Sequence, residues 1–317
     1  MGQSVCPALA SFLALWVLLS EVQPKVVSSA IATEECGTRP IVNDVEEGSR
    51  IIGGHDAQLG AWPWQVSLQV FFRSVGYRHI CGGSLINNNS VLTAAHCIRN
   101  YVNPDIWRAV IGLHNLYKAH SYTAKYQIRA IVVHSDFEFG TYDNDIALFK
   151  LIKFVKYNDF IQPVCLPNTY LHLTAKIPCF ISGWGRTTES GKGEQILQEG
   201  QVDIIPLNVC NRYDWYAGTI SWNMICAGSA SGRVDSCQGD SGGPLVCYFP
   251  GVTKFYQIGI TSAGVGCGRP KFPGIYTNTI RYRRWINSHL LNKTINVTIE
   301  LFLLFLTVGC ITLHIVL

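Results

Sequence analysis

Ser241 lies in the string Asp235-Ser236-Cys237-Gln238-Gly239-Asp240-Ser241-Gly242-Gly243-Pro244. A serine hydroxyl is a poor nucleophile until a base takes its proton. It also needs donors for the oxyanion that forms when it attacks a carbonyl. The glycines around Ser241 let the backbone turn tightly and approach another molecule closely. The N–H groups of Gly239 and Ser241 can then aim at one point. A Gly-rich turn with a capping serine is the bland alternative, but a ten-residue string this particular is not expected by chance. Such chemistry demands a histidine base and an acid that orients it.

Two further segments offer those groups. Leu92-Thr93-Ala94-Ala95-His96-Cys97 places one of the chain's 9 histidines between an apolar flank and a cysteine. A lone histidine is ordinarily a surface or satisfied core residue. Asp143-Asn144-Asp145-Ile146-Ala147-Leu148 places acids before an apolar run, a pattern that could simply end a loop. The three segments together, in the order His96, Asp145, Ser241, resemble the active-site motifs of the chymotrypsin-like (trypsin-family) serine proteases. A hydrolase with a G-x-S-x-G elbow would run serine, acid, histidine, and the order here excludes it.

The resemblance implies roles. His96 is the base, Asp145 rather than Asp143 the orienting acid, and Ser241 the nucleophile, with the Gly239 and Ser241 N–H groups as oxyanion hole. Asp235 lies at the bottom of the primary pocket and favours an Arg or Lys side chain. Gly264 and Gly274 match pocket walls that stay small, and Ser262 begins the edge that pairs with substrate. That edge usually reads Ser-Trp-Gly. Here Ser262-Ala263-Gly264 lacks the aromatic, which predicts weaker selectivity beside the primary pocket. Arg50-Ile51-Ile52-Gly53-Gly54 resembles an activation site: cleavage between Arg50 and Ile51 frees an amine that pairs with Asp240. The alternative is a catalytically silent homologue acting as an extracellular binding module. Such proteins usually lose a triad residue or the activation isoleucine, and Ile51, His96, Asp145, Asp240 and Ser241 are all present.

The family pattern pairs ten of the 12 cysteines: Cys36–Cys165, Cys81–Cys97, Cys179–Cys247, Cys210–Cys226 and Cys237–Cys267. The first would keep a pro-segment attached after cleavage. Cys6 and Cys310 remain, both outside the domain. The cysteines are not arranged as CxxC pairs, so zinc-ribbon spacing is absent. The family's optional calcium loop needs carboxylates, and Leu113–Lys125 contains none, so neither a structural metal nor a cofactor is expected. His114 and His120 in that loop read as solvated side chains.

Positioning these groups requires a large β-rich core. Hydrophobic residues make up 48% of the 317 residues, ample for one, and a net charge of +4 does not argue for nucleic acid. No GxxxxGK[ST] loop is present. From 51 to about 290, short runs such as Gln65–Phe71, Ser90–Ala95, Trp107–Gly112, Ala130–His134 and Gln257–Thr261 alternate with Gly, Asn and Pro punctuation. Periodicity gives only an all-β class. Only Tyr282–Leu291 reads as an amphipathic helix, and the resemblance implies two six-stranded antiparallel β-barrels before it, from halves near 51–160 and 161–280.

The ends read differently. Residues 1–20 carry an apolar run suited to a signal peptide, and 21–50 form a pro-segment. The peptidase domain is assigned to 51–291, a glycosylated stalk to 292–300, and a hydrophobic tail to 301–317. That tail is either a short membrane span or a removable lipid-anchor signal. Spaced cysteines and the apolar N-terminus place the chain in the secretory pathway, at a cell surface or granule membrane, with the catalytic domain extracellular or lumenal. Asn88, Asn292 and Asn296 head N-glycan sequons. Expected partners are protein or peptide substrates with Arg or Lys before the cut, an activating trypsin-like protease, and a membrane.

Overall fold

A computed structural model describes residues 36–42, 54–167, 177–229, 231–232 and 235–290. Arg50, Ile51, Asn292, Asn296, Cys6, Cys310 and the two apolar ends lie outside them. No helix among the described residues is long and apolar enough to cross a membrane.

Six strands close the first barrel: β2 (Gln65–Phe72), β3 (Gly76–Asn87), β4 (Ser90–Thr93), β5 (Trp107–Ile111), β6 (Ala124–Val133) and β7 (Ala147–Leu151). Their ring order is β2-β3-β4-β7-β6-β5, all antiparallel. Closure leaves no open edge. Alternation explains β2: Val66, Leu68 and Val70 are at most 1% exposed and fill the barrel.

The second barrel closes from β8 (Cys179–Gly183), β9 (Gln198–Ile205), β10 (Met224–Gly228), β13 (Gly274–Asn278), β12 (Lys254–Ala263) and β11 (Pro244–Phe249). The fold is therefore two six-stranded antiparallel barrels, with α1 (Leu207–Cys210) inside the second half and α2 (Arg283–Leu290) at its end. One strand departs from the simple division at residue 160. The short β1 (His55–Asp56) pairs with β9, through His55↔Glu199 and Asp56↔Gln198, so it joins the second barrel. Two residues carry no periodicity, and their partner lies about 140 positions away, so nothing local announces the pairing.

The apolar core runs across both barrels. Trp64, Trp107, Phe149 and Leu148 of the first half share one cluster with Trp184, Val246, Phe255 and Ile260 of the second. Trp107 meets Phe149 edge-on at 5.1 Å, and its indole N–H donates to the Tyr101 carbonyl at 2.6 Å. Phe149 is fully buried, so Phe149→Ala should cost about 3–5 kcal/mol. Urea melts of the two proteins check this; a loss under 1 kcal/mol would mean that the barrel collapses around the gap.

Among the described residues five disulfides staple the fold: Cys36–Cys165, Cys81–Cys97, Cys179–Cys247, Cys210–Cys226 and Cys237–Cys267. The first fastens the segment 36–42. Gly37 donates to the Pro163 carbonyl (2.8 Å) and accepts from Phe255 N–H (2.9 Å). Arg39 lies over the Trp62 and Phe255 rings. Asn88 sits half-buried in the β3–β4 turn, and the Ser90 hydroxyl of its sequon is buried, donating to Asn89 and accepting from Lys150 Nζ.

Candidate functional site

The site forms where the two barrels meet. His96 comes from a 3₁₀ turn after β4 (Ala95–Ile98), locked to β3 by Cys81–Cys97. Asp145 lies just before β7 and is fully buried. Its Oδ2 accepts from His96 Nδ1 at 2.7 Å, and its Oδ1 accepts from the His96 backbone N–H at 2.8 Å. Nδ1 therefore carries a proton and leaves Nε2 as the unprotonated nitrogen of the neutral ring, with the disulfide sulfur of Cys97 3.9 Å from it. The Ser262 hydroxyl donates to the same Asp145 Oδ2 at 2.5 Å, and Thr277 donates to the Asp145 carbonyl at 2.8 Å. Three donors thus hold the carboxylate, and a fourth holds the backbone carbonyl of the same residue. The Ser262 side chain faces Asp145. The neighbouring Asp143 instead accepts from Ser221 and Asn223, a loop brace away from the imidazole. Tyr142, in the left-handed region at φ 57°, sets its ring edge-on to His96 at 5.6 Å.

Ser241 sits between the barrels, its carbonyl accepting from Gly82 N–H of β3 at 2.8 Å. Ser241 Oγ is in no hydrogen bond among the described residues, and neither are the N–H groups of Gly239 and Ser241. Two backbone donors beside an uncommitted hydroxyl can stabilise a developing oxyanion. Gly239 has φ 106°, a conformation open to glycine alone. A chain of hydrogen bonds from the first barrel holds it. Gln69 donates to Ser67, Ser67 meets His79 Nδ1 at 2.8 Å, and His79 Nε2 donates to the Gly239 carbonyl at 3.2 Å. Burial pushes His79 down to about 4, so it is neutral at pH 7 and acts by position. Its signal in the sequence is only a histidine two places before Cys81.

Asp235 accepts from the N–H groups of Ser236 (2.8 Å) and Gly268 (2.9 Å). Gly274 packs against it so closely that a Cβ there would collide with Asp235 and Ser236. A Cβ on Gly264 would have no heavy atom nearer than 3.7 Å and would come within 4.0 Å of Gly274 Cα, so the two glycines border one slot. Burial pushes Asp235 up to about 6 against its backbone donors, with Asp240 adding to the rise. Cys237–Cys267 closes the slot. Asp240 accepts from Gly185 N–H (2.8 Å) and Cys237 N–H (3.0 Å), and its carboxylate occupies the space where side chains on Gly183 and Gly185 would be. Burial pushes it too up to about 6, and no cation pairs with it among the described residues. One cavity of about 290 Å³ joins Asp235 and Asp240, and Gly54 lies on its wall.

A family model described as Trypsin matches residues 51–286, well over half of the chain. The chain belongs to the trypsin family. Its domain is that of a serine protease, and peptides are the substrates that membership implies. Cys81, His96 and Cys97 cluster closely enough to suggest a metal, but in this trypsin-family domain both sulfurs are spent on a disulfide. His114 and His120 are half-buried, and His120 stacks on Tyr122 at 5.2 Å, which corrects the reading of both as solvated. Ala263 packs on the cluster holding Tyr216 and Ile275, and Trp215 and Phe272 pack on the same cluster. Aromatic surface near Ala263 thus comes from the segment after α1 and from the loop before β13.

Proposed function

We propose that the protein is a trypsin-like serine endopeptidase that cuts after Arg or Lys, made as a zymogen and tethered to a membrane. The observation that carries this reading is the hydrogen bond between His96 and the buried Asp145, together with the uncommitted hydroxyl of Ser241 and the two unspent N–H donors of Gly239 and Ser241. His96 Nε2 takes the Ser241 proton as Oγ attacks the scissile carbonyl. The Gly239 and Ser241 N–H groups receive the oxyanion. The imidazolium gives its proton to the leaving amine, and water then hydrolyses the acyl-enzyme by the reverse roles. Asp145 stabilises the imidazolium without taking its proton.

Asp235 sets the preference. A guanidinium or ammonium entering the slot meets a carboxylate already desolvated, so little further dehydration opposes the pairing. Because the folded site holds its proton up to about 6, against an ordinary 3.8, ionising Asp235 opposes folding, and stability falls as pH rises between those values. A bound cation reverses that. An aromatic amidinium should bind about tenfold tighter per pH unit up to pH 6 and level off above it. Inhibition constants across pH 4.5–8 check the profile; a flat one would remove Asp235 from the cation site.

Activation follows from Asp240. A buried carboxylate without a counter-ion is costly. Ile51 stands three residues before Gly54 in the sequence, and three extended residues reach about 10 Å. An amine freed at Ile51 would enter the cavity beside Gly54, pair with Asp240 and order the adjoining Gly239–Ser241 donors. Tethering rests on the apolar run Leu301–Leu317, by a span or a lipid anchor. This order of segments resembles that of transmembrane serine protease twelve.

The deciding experiment cleaves the chain after Arg50 and assays peptides ending in Arg, Lys or a neutral residue, with Ser241→Ala as control. Hydrolysis after Arg and Lys, absent from the control, is expected. An inert cleaved protein would overturn the enzymatic reading. Release from cells by a phospholipase specific for lipid anchors decides between the two tethers.

A further inference from the structure

Residues 57–135 hold seven Lys or Arg and a single acid, Asp105, a local excess larger than the whole chain's +4. Part of that excess stands on the hairpin joining β2 to β3. Arg73 and Arg78 are exposed there. Arg108 of β5 lies across Tyr77 at 3.9 Å and donates to Gln69 at 2.8 Å. None of the three guanidinium groups has a carboxylate partner among the described residues. Apolar side chains stand among them: Phe71 is 46% exposed and stacks edge-on against Tyr77 at 5.2 Å, and Val75 is 53% exposed.

This surface is joined to the site. From Gly82, whose N–H meets the Ser241 carbonyl, β3 runs back to Arg78 and Gly76. At about 3.3 Å per residue these lie roughly 13 and 20 Å from that contact, the span of about four to six extended residues. We propose that the tip of the β2–β3 hairpin docks an acidic, partly apolar segment of the peptide substrate, about four to six residues from the bond that is cut. The proposal names a substrate class for the site above and rests on that reading. Unpaired guanidinium groups fit carboxylates in a forked geometry. Phe71 and Val75 favour a peptide over a sulfated polysaccharide, which brings no apolar side chain to cover them.

The test separates docking from catalysis. A labelled peptide with three Glu and one Leu, and its Gln counterpart, are titrated by fluorescence anisotropy against the Ser241→Ala protein, and then against the same protein carrying Arg73→Glu and Arg78→Glu. The Glu peptide should bind at least tenfold tighter than the Gln peptide, lose that advantage on charge reversal, and weaken as salt rises. Phe71→Ser should weaken it severalfold. In the active protein, charge reversal should raise KM for a long substrate carrying the Glu segment and leave a short Arg substrate unchanged. Equal binding of the two peptides, or indifference to charge reversal, overturns the proposal. So does tight binding of a heparin fragment that displaces the peptide while Phe71→Ser has no effect. If neither substrate is cut, the enzymatic reading fails and the anisotropy still decides the docking.

Discussion

Asp145→Asn is expected to lower kcat/KM of the Arg50-cleaved protein by a factor on the order of 10⁴, the size typical of the general Ser-His-Asp arrangement. Asp145 Oδ2 accepts a proton-bearing Nδ1 from His96, and Oδ1 accepts the His96 backbone N–H. An amide keeps one oxygen and offers two N–H donors. With the oxygen turned to the backbone N–H, an amide N–H faces Nδ1, which must then accept. The proton moves to Nε2, the atom that has to take the Ser241 proton. Ser262 and Thr277 still brace the residue, so the fold should survive. Steady-state kinetics beside a thermal melt checks both halves. An activity within tenfold of wild type would mean that His96 reaches its working tautomer without Asp145.

Asp235→Asn is expected to reduce kcat/KM for Arg substrates by roughly 30- to 5,000-fold, the loss of about 2–5 kcal/mol that follows when one member of a buried charge pair is removed. Substrates with a neutral residue before the cut should be spared. Because burial disfavours the Asp235 charge, the variant should also be at least as stable as wild type at pH 8. Loss of the Ser236 and Gly268 contacts works against this, and an asparagine carbonyl can retain one of them. A peptide library scored at the residue before the cut measures the change. Retained Arg preference would transfer specificity elsewhere in the slot.

What the sequence made legible was contiguous. The nucleophile string and the Ala-Ala-His-Cys and Asp-Ile-Ala-Leu segments each occupy a few neighbouring residues, so a resemblance could be carried residue by residue. Period-two alternation marked β2, β4 and β5 without naming their partners. Groups that act across long separations stayed hidden. His79 holds a carbonyl 160 positions later, and Ser262 braces an aspartate 117 positions earlier. Gly183 and Gly185 are ordinary glycines until Asp240, about 55 residues away, is seen lying against them. Tyr142 reaches His96 only because a left-handed backbone turns it there. Such roles depend on which strands meet, and barrel closure decides that.

The fastening of residues 36–42 has a consequence for how the protein would be recognised after a cut at Arg50. Cys36 is bonded to Cys165, and Gly37 is stitched to Pro163 and Phe255. A single scission would therefore change the number of polypeptides but not the number of particles. Electrophoresis would report one band without reductant and two with it. Any antibody or tag placed upstream of Cys36 on the same piece would travel with the working domain as a covalent passenger, so its presence would not distinguish precursor from product.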